Sequence, residues 1–255
     1  MDSVSFDDIR EDMRRRCTKE KSVSYISFED VCKEYTVGDS VVKASDHVNF
    51  QVERGEFCVV LGPSGSGKTT ILNLLGGMDK PTSGTIRVGD KIISKMNSRQ
   101  LTEYRREDVG FVFQFYNLIP NLTALENVEL GLQGRRMAIE PRTMLEMVGL
   151  EKRMNNFPAQ MSGGEQQRVS IARALSKQPG ILLCDEPTGA LDSKTGEQVL
   201  ILLKQLNEEI GTTVVIITHN AGIALIADRV IRLRSGVVVE NTVNANPARV
   251  EDIAW

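Results

Sequence analysis

The segment Gly62-Pro63-Ser64-Gly65-Ser66-Gly67-Lys68-Thr69-Thr70 constrains this chain more than any other stretch of it. It follows the apolar run 57–61 and leads into Ile71, Leu72, Leu74 and Leu75, which recur at helical spacing. A strand that ends in a glycine-rich turn and passes straight into a helix brings backbone N–H groups, the positive end of the helix and a lysine to one point in space. Such a loop cradles phosphate oxygens. Its glycines let the amides turn inward, Lys68 reaches the β- and γ-phosphates of a nucleotide, and the Thr69 hydroxyl can ligate Mg²⁺.

The rest of the pattern is α/β. Residues 57–61, 181–184, 214–217 and 230–231 are continuously apolar, as strands buried on both faces of a mostly parallel central sheet must be. Val199, Leu202, Leu203, Leu206 and Ile210 fall on one helical face, and Gly211 stands where a left-handed cap ends the helix. Nearer the N-terminus, Ile26 and Phe28, then Val48, Phe50 and Val52, alternate about a turn at Gly38 and Asp39, which predicts half-buried antiparallel strands. Between about 115 and 161 the strand-like runs give way to short helical stretches such as Met144, Leu145, Met147 and Val148, closed by Gly149. The expected organisation is a charged extension over 1–24, one domain over 25–239 with an antiparallel β-subdomain and an inserted helical subdomain, and a tail over 240–255. That tail either packs back on the body or frays, and the lone Trp255 would report which.

Composition removes several function classes. A net charge of −3 and 5% aromatic residues provide neither a phosphate-neutralising surface nor a base-stacking platform, so no nucleic-acid partner is expected. Cys17, Cys32, Cys58 and Cys184 form no CxxC pair and read as thiols of a reducing compartment. No apolar stretch reaches the roughly 18–20 residues that span a bilayer, and the N-terminus is acidic before it is basic, unlike a secretory signal. The chain is expected in the cytoplasm, reaching a membrane only through a partner. Arg14, Arg15 and Arg16 could touch anionic lipid, but a solvated tail fits them as well.

Asp185 and Glu186 end the second buried run, where carboxylates emerge beside the phosphate loop; Asp185 would hold Mg²⁺ and Glu186 would deprotonate the attacking water. Acidic residues after a strand also serve as plain loop caps. His219 stands after its own strand as Asp185 does after its own, whereas His47 has no such context and reads as structural.

With the phosphate loop, the segment Ser162-Gly163-Gly164-Glu165-Gln166-Gln167-Arg168, 94 residues after Lys68, singles out one superfamily. From about 25 to 239 the chain resembles the nucleotide-binding subunit of ATP-binding-cassette (ABC) transporters. The resemblance implies ATP and Mg²⁺ as ligands, and His219 as a sensor of the γ-phosphate. Gln114 would contact Mg²⁺ or the lytic water, and Tyr35 would stack on adenine, although a tyrosine of the hairpin core fits that position too. It further implies a head-to-tail dimer in which Ser162, Gly163 and Gly164 of one copy close on the ATP held by the other, with the stretch ending at Asp192 crossing the interface. Met161, Glu165 and Cys184 depart from the commonest family residues, and none of them is a phosphate or metal ligand.

Segments 77–84, 109–114, 117–128 and 218–231 are similar to ATPases of the lipoprotein-releasing and macrolide-exporting branch, which implies a separate integral membrane permease and peptide, drug or lipoprotein substrates. The permease is expected to dock near residues 114–122. A cell-division ATPase that controls wall hydrolases through a permease-like partner would share these motifs. A chromosome-maintenance ATPase needs a long coiled coil between the two glycine segments, and no heptads occur there. A translation-factor ATPase carries two cassettes, and here there is one.

Overall fold

The computed structural model describes residues 24–132 and 139–253. The expectations for the extension over 1–23 and for Trp255 lie outside the described residues. In chain order the elements are β1 (Ile26–Val37), β2 (Ser40–Val52), β3 (Phe57–Leu61), α1 (Lys68–Leu75), β4 (Ser83–Val88), β5 (Lys91–Ile92), α2 (Ser98–Glu107), β6 (Val109–Phe113), α3 (Ala124–Leu130), α4 (Pro141–Met147), α5 (Gly163–Leu175), β7 (Ile181–Asp185), α6 (Ser193–Ile210), β8 (Thr213–Thr218), β9 (Arg229–Arg234) and β10 (Val237–Val243).

Two sheets result. The first is antiparallel, in the order β2-β1-β4-β5, and the second has the order β10-β9-β3-β8-β7-β6. In the second sheet every neighbouring pair is parallel except β9 with β10. β3 lies between β9 and β8 and is buried along its whole length. Successive side chains of a strand point to opposite faces, so Phe57, Val59 and Leu61 join one hydrophobic core while Cys58 and Val60 join another. The first core lies under α3, α4, α5 and α6; the second lies between the sheet, α1, α2 and the antiparallel strands. A continuously apolar run is what a strand with a core on each face requires.

The helical stretch contains α3 and α4 with single 3₁₀ turns at Glu151–Arg153 and Pro158–Gln160. α3 starts on a capping box: Thr123 accepts from the Glu126 amide, and Glu126 accepts from the Thr123 amide. α6 ends at Gly211, whose φ of 71° is left-handed.

Two features differ from the pattern read in sequence. β4, β5 and α2 were not read at all, because in β4 only Ile86 and Val88 are buried. β10 runs through the boundary drawn at 239 and continues to Val243. Beyond it the Asn244 amide donates to the Asp228 carbonyl and the Ala248 amide to the Leu225 carbonyl, and Val250 and Ile253 are buried against the core beneath α6. The His47 ring is 67% exposed and bonded to Asp30. Among the described residues no helix is long and apolar enough to cross a membrane.

Candidate active site

The phosphate loop leaves the C-terminal end of β3 and enters α1 with Gly67 as N-cap. Gly67 has φ 99°, and a Cβ there would run into the carbonyl oxygen of Ala44 on β2. A glycine is therefore required on two counts, backbone conformation and close approach. It has no side chain with which to cap the helix, so the first amides of α1 stay open to an anion. The Lys68 ammonium donates to the carbonyls of Gly62 and Pro63, at 2.7 and 3.0 Å, and is held within the loop. Ser66 is buried, its amide donates to the Pro63 carbonyl, and its carbonyl accepts from Gly236.

Ser64, Gly65, Gly67, Lys68, Thr69 and Thr70 line a cleft of about 490 Å³ together with Gln114, Asp185, Glu186 and His219. Three parallel strands deliver the last four, since Gln114 follows β6, Asp185 ends β7 and His219 follows β8. Val42, Lys43 and Ala44 of β2 complete the wall. Burial, then the charge of Glu186, pushes the Asp185 carboxyl above its ordinary pKa, while Lys68 opposes the rise.

Glu186 is the most constrained group of the cleft. Its φ is 46°, a conformation that costs a non-glycine residue of order 1–3 kcal/mol. The backbone is anchored where the Glu186 amide donates to Ile217 of β8. Its Oε2 accepts from the Thr218 hydroxyl at 2.8 Å, and its Oε1 accepts from the His219 amide at 3.0 Å and faces His219 Nδ1 at 2.7 Å. The carboxylate is thus fixed at the end of β8, with His219 reaching out beside it, 70% exposed.

Other sequence-predicted residues lie elsewhere. Gly62 and Pro63 serve the loop through their carbonyls. Tyr35 does not line the cleft; its hydroxyl donates to Asp79 at 2.8 Å and Lys33 lies over its ring. Asp192 caps α6, accepting from the Thr195 amide and hydroxyl, and lines an adjoining hollow that shares Glu186 and His219 with the cleft. Ser162 caps α5 in a capping box with Glu165, whose pKa is lowered first by the Ser162 amide, against desolvation, and then by the Ser162 hydroxyl and Arg153. None of Ser162, Gly163 and Gly164 is among the residues lining the cleft.

Sequence reasoning missed four contributors. Thr218 holds Glu186, and its place directly before His219 was the available signal. Gln167, fully buried on α5, donates to the Pro187 carbonyl at 2.8 Å, tying that helix to the residue after Glu186. Arg173 donates to the carbonyls of Tyr116 and Asn117, both at positive φ, and burial lowers its pKa. The wall formed by β2 carries no local signal.

Residues 45–189 match the family model described as ABC transporter. The ABC transporter ATP-binding protein MJ0796 of Methanocaldococcus jannaschii is 48% identical over 225 residues, which cover 84% of this chain and 94% of that one. The macrolide export ATP-binding/permease protein MacB of Vibrio parahaemolyticus is 41% identical over 225 residues, but the chain spans only 34% of its length. Among solved structures, the dimeric post-hydrolysis state of the MJ0796 cassette bound to ADP and Pi superposes with a TM-score of 0.78 at 46% identity, covering 86% of this chain and 98% of that one. The chain belongs to the ABC transporter family, as one of its ATPase cassettes.

Proposed function

We propose that this chain is the ATP-hydrolysing subunit of a membrane transporter, and that two copies close head to tail around two ATPs to drive a separate integral membrane permease. The observation that carries the dimer is the composition of the cleft: it gathers the phosphate loop, Asp185, Glu186 and His219 and includes none of Ser162, Gly163 and Gly164. The N-terminus of α5, with its helix dipole, therefore remains available to the γ-phosphate of a second copy. The hollow that includes Asp192 adjoins the cleft, sharing Glu186 and His219 with it, and is proposed to face the second copy. Relatives support the reading, since the MJ0796 cassette was solved as a dimer with ADP and Pi.

Hydrolysis follows from the side chains. On ATP binding Lys68 exchanges its loop carbonyls for β- and γ-phosphate oxygens, joined by the amides of α1. Thr69, Gln114 and Asp185 offer hard oxygen ligands to one cleft, the donor set Mg²⁺ prefers, and a cation there offsets the cost of ionising Asp185. When bound there, Mg²⁺ would supply positive charge against the phosphate oxygens. Glu186 accepts a proton from the water that attacks the γ-phosphorus as the bond to the ADP oxygen breaks. His219 holds Glu186 Oε1 through its amide and its ring Nδ1, and the exposed remainder of its ring is the proposed contact to the γ-phosphate. Tyr35 neighbours Thr70, which lines the cleft, and its ring is the proposed platform for adenine.

Loss of the bridging γ-phosphate then opens the dimer, and that alternation is the work delivered to the permease. The segment 114–122 is the proposed docking site, at the cytoplasmic face of the membrane. There Phe115 is 74% exposed, and the neighbouring backbone is held by Arg173 and by Asn127. Similarity to a macrolide export ATP-binding/permease protein supports a permease of the efflux type, and within the proposal the permease is of the mechanotransmission or efflux type, with peptide, drug or lipoprotein substrates.

Mixing two inactive variants tests the assignment in trans. Lys68→Ala and Ser162→Arg should each fail to hydrolyse ATP, and their mixture should recover activity through dimers holding one composite site. A mixture as inactive as its components, although mixed dimers form, would contradict it.

A further inference from the structure

We propose that Cys32, Asp46 and His47 form a binding site for a borderline-soft divalent metal ion of the zinc class, on the β1–β2 ribbon and outside the nucleotide cleft. The pairing of the two strands creates the cluster. Val31 faces Val48 and Lys33 faces Ser45, so Cys32 alone opposes both Asp46 and His47. The extra residue is a β-bulge, and it turns two side chains of β2 toward one thiol. One ligand atom from each residue, the Cys32 sulfur, an Asp46 oxygen and a His47 ring nitrogen, lies within 4.8 Å of the others. Tetrahedral zinc with bonds of about 2.0–2.3 Å sets its ligands about 3.5 Å apart, so the cluster needs only a modest contraction, with water as fourth ligand.

The surroundings already orient the donors. His47 Nδ1 is 2.6 Å from Asp30 Oδ1, which can only accept and so keeps a proton on Nδ1, and Nε2 faces Asp46 Oδ1, 3.8 Å away. A carboxylate behind the imidazole is the usual support of a metal-bound histidine, fixing its tautomer and raising its basicity. The Cys32 sulfur accepts the His47 amide at 3.3 Å, which fixes the sulfur beside the ring. Asn49 secures the same turn, accepting from the Asp30 amide and donating to the His47 carbonyl. Sulfur, imidazole and a single carboxylate suit zinc and its analogue Co²⁺ and do not suit Mg²⁺ or Ca²⁺. Binding releases the thiol proton to solvent.

Two groups compete with the ion. The Lys43 ammonium is 3.2 Å from Asp46 Oδ1, and the Asp30 carboxylate raises the pKa of His47, favouring its protonated form. The metal must displace the Lys43 ammonium from Asp46 and the Nε2 proton from the ring, while Nδ1–H stays on Asp30. The site is also tied to the phosphate loop, because the Asp46 amide donates to Gly236, whose own amide donates to Ser66.

The probe is Co²⁺, titrated without nucleotide into the full chain while the thiolate-to-cobalt charge-transfer absorption is followed. One ion per chain should bind with that absorption. Cys32→Ser should abolish the band, Asp46→Asn and His47→Gln should weaken binding about tenfold or more, and Asp30→Asn by about 10–100-fold. Cys17→Ser, which removes another thiol, should change nothing. The site is refuted if no charge-transfer band forms, if the band survives Cys32→Ser, or if it vanishes with Cys17→Ser. Should Cys32→Ser fail to fold, the exposed His47→Gln and Asp46→Asn decide: unchanged Co²⁺ affinity in both refutes the site.

Discussion

His219 Nδ1 and Glu186 Oε1 lie 2.7 Å apart, and the amide of His219 donates to that same oxygen at 3.0 Å. One carboxylate oxygen thus receives two hydrogen bonds from a single residue, while the Thr218 hydroxyl holds the other. The general base of the proposed reaction is aimed from β8 and from its own left-handed backbone. In the proposed reaction the same histidine would meet the incoming phosphate and so link the state of the ligand to the aim of the base.

Thr218→Val removes the contact to Oε2 and leaves the volume nearly unchanged. Loss of one hydrogen bond to a charged acceptor costs about 1.5–3 kcal/mol, so kcat for ATP hydrolysis is expected to fall about tenfold or more. KM should stay within about twofold, because the phosphate loop is untouched. Steady-state phosphate release resolves the two parameters, and a change confined to KM would remove Thr218 from the positioning of Glu186.

Gly67→Ala and Gly65→Ala separate close approach from backbone conformation. Both glycines have positive φ, 99° and 76°, but a Cβ on Gly65 meets nothing within 4 Å whereas one on Gly67 meets the Ala44 carbonyl. Left-handed backbone alone costs alanine about 1–2 kcal/mol. Gly67→Ala is expected to lose nucleotide binding and several degrees of melting temperature, and Gly65→Ala to keep binding with a smaller loss of stability. Titration with a fluorescent ATP analogue and thermal melts check both.

Asp185→Asn should stabilise the free protein while abolishing Mg²⁺-dependent hydrolysis. Burial and the charge of Glu186 raise the Asp185 pKa, so ionised Asp185 lowers stability at neutral pH. That penalty is fully present above the raised folded value, shrinks as pH falls through it, and is gone below the ordinary 3.8. The melting-temperature advantage of Asp185→Asn over wild type should therefore be largest near pH 7 and narrow toward pH 4. An advantage independent of pH would mean that the charge of Asp185 is not its source.

Much of this arrangement was legible in sequence where local chemistry and tertiary role coincide. The run 57–61 is apolar at every position because β3 packs a core on each face, and Gly211 ends α6 because only a left-handed residue closes that turn cheaply. Asp185, Glu186 and His219 could be placed together because parallel strands deliver their following residues to one edge of the sheet. What escaped depends on contacts between distant segments. Ala44 becomes a wall of the cleft only because β2 passes over Gly67, and β4 pairs with β1 through a strand with two buried residues. His47 had no visible context because its partner, Asp30, comes to it only through the bulged pairing of β1 and β2.

Stabilising pressure on the buried thiols gives a further expectation. Burial pushes Cys58 and Cys184 far above their ordinary 9.0, and Tyr104, donating to the Leu75 carbonyl, well above 10.0. Groups whose folded pKa is raised contribute stability that is complete below the unfolded value and is lost as pH climbs past it. The melting temperature should therefore decline from about pH 9 upward, and Cys184→Ala should soften that decline. Melts between pH 7 and 10.5 measure it, and an identical slope in the variant would remove Cys184 from the cause.

The most direct test is the oligomeric state of Glu186→Gln with ATP and Mg²⁺, followed by size-exclusion chromatography beside phosphate release. With hydrolysis blocked and every phosphate ligand intact, the variant should pass from monomer to a stable dimer holding two ATPs, while Lys68→Ala stays monomeric. A Glu186→Gln chain that binds ATP and remains a monomer would contradict closure of two copies around the nucleotide.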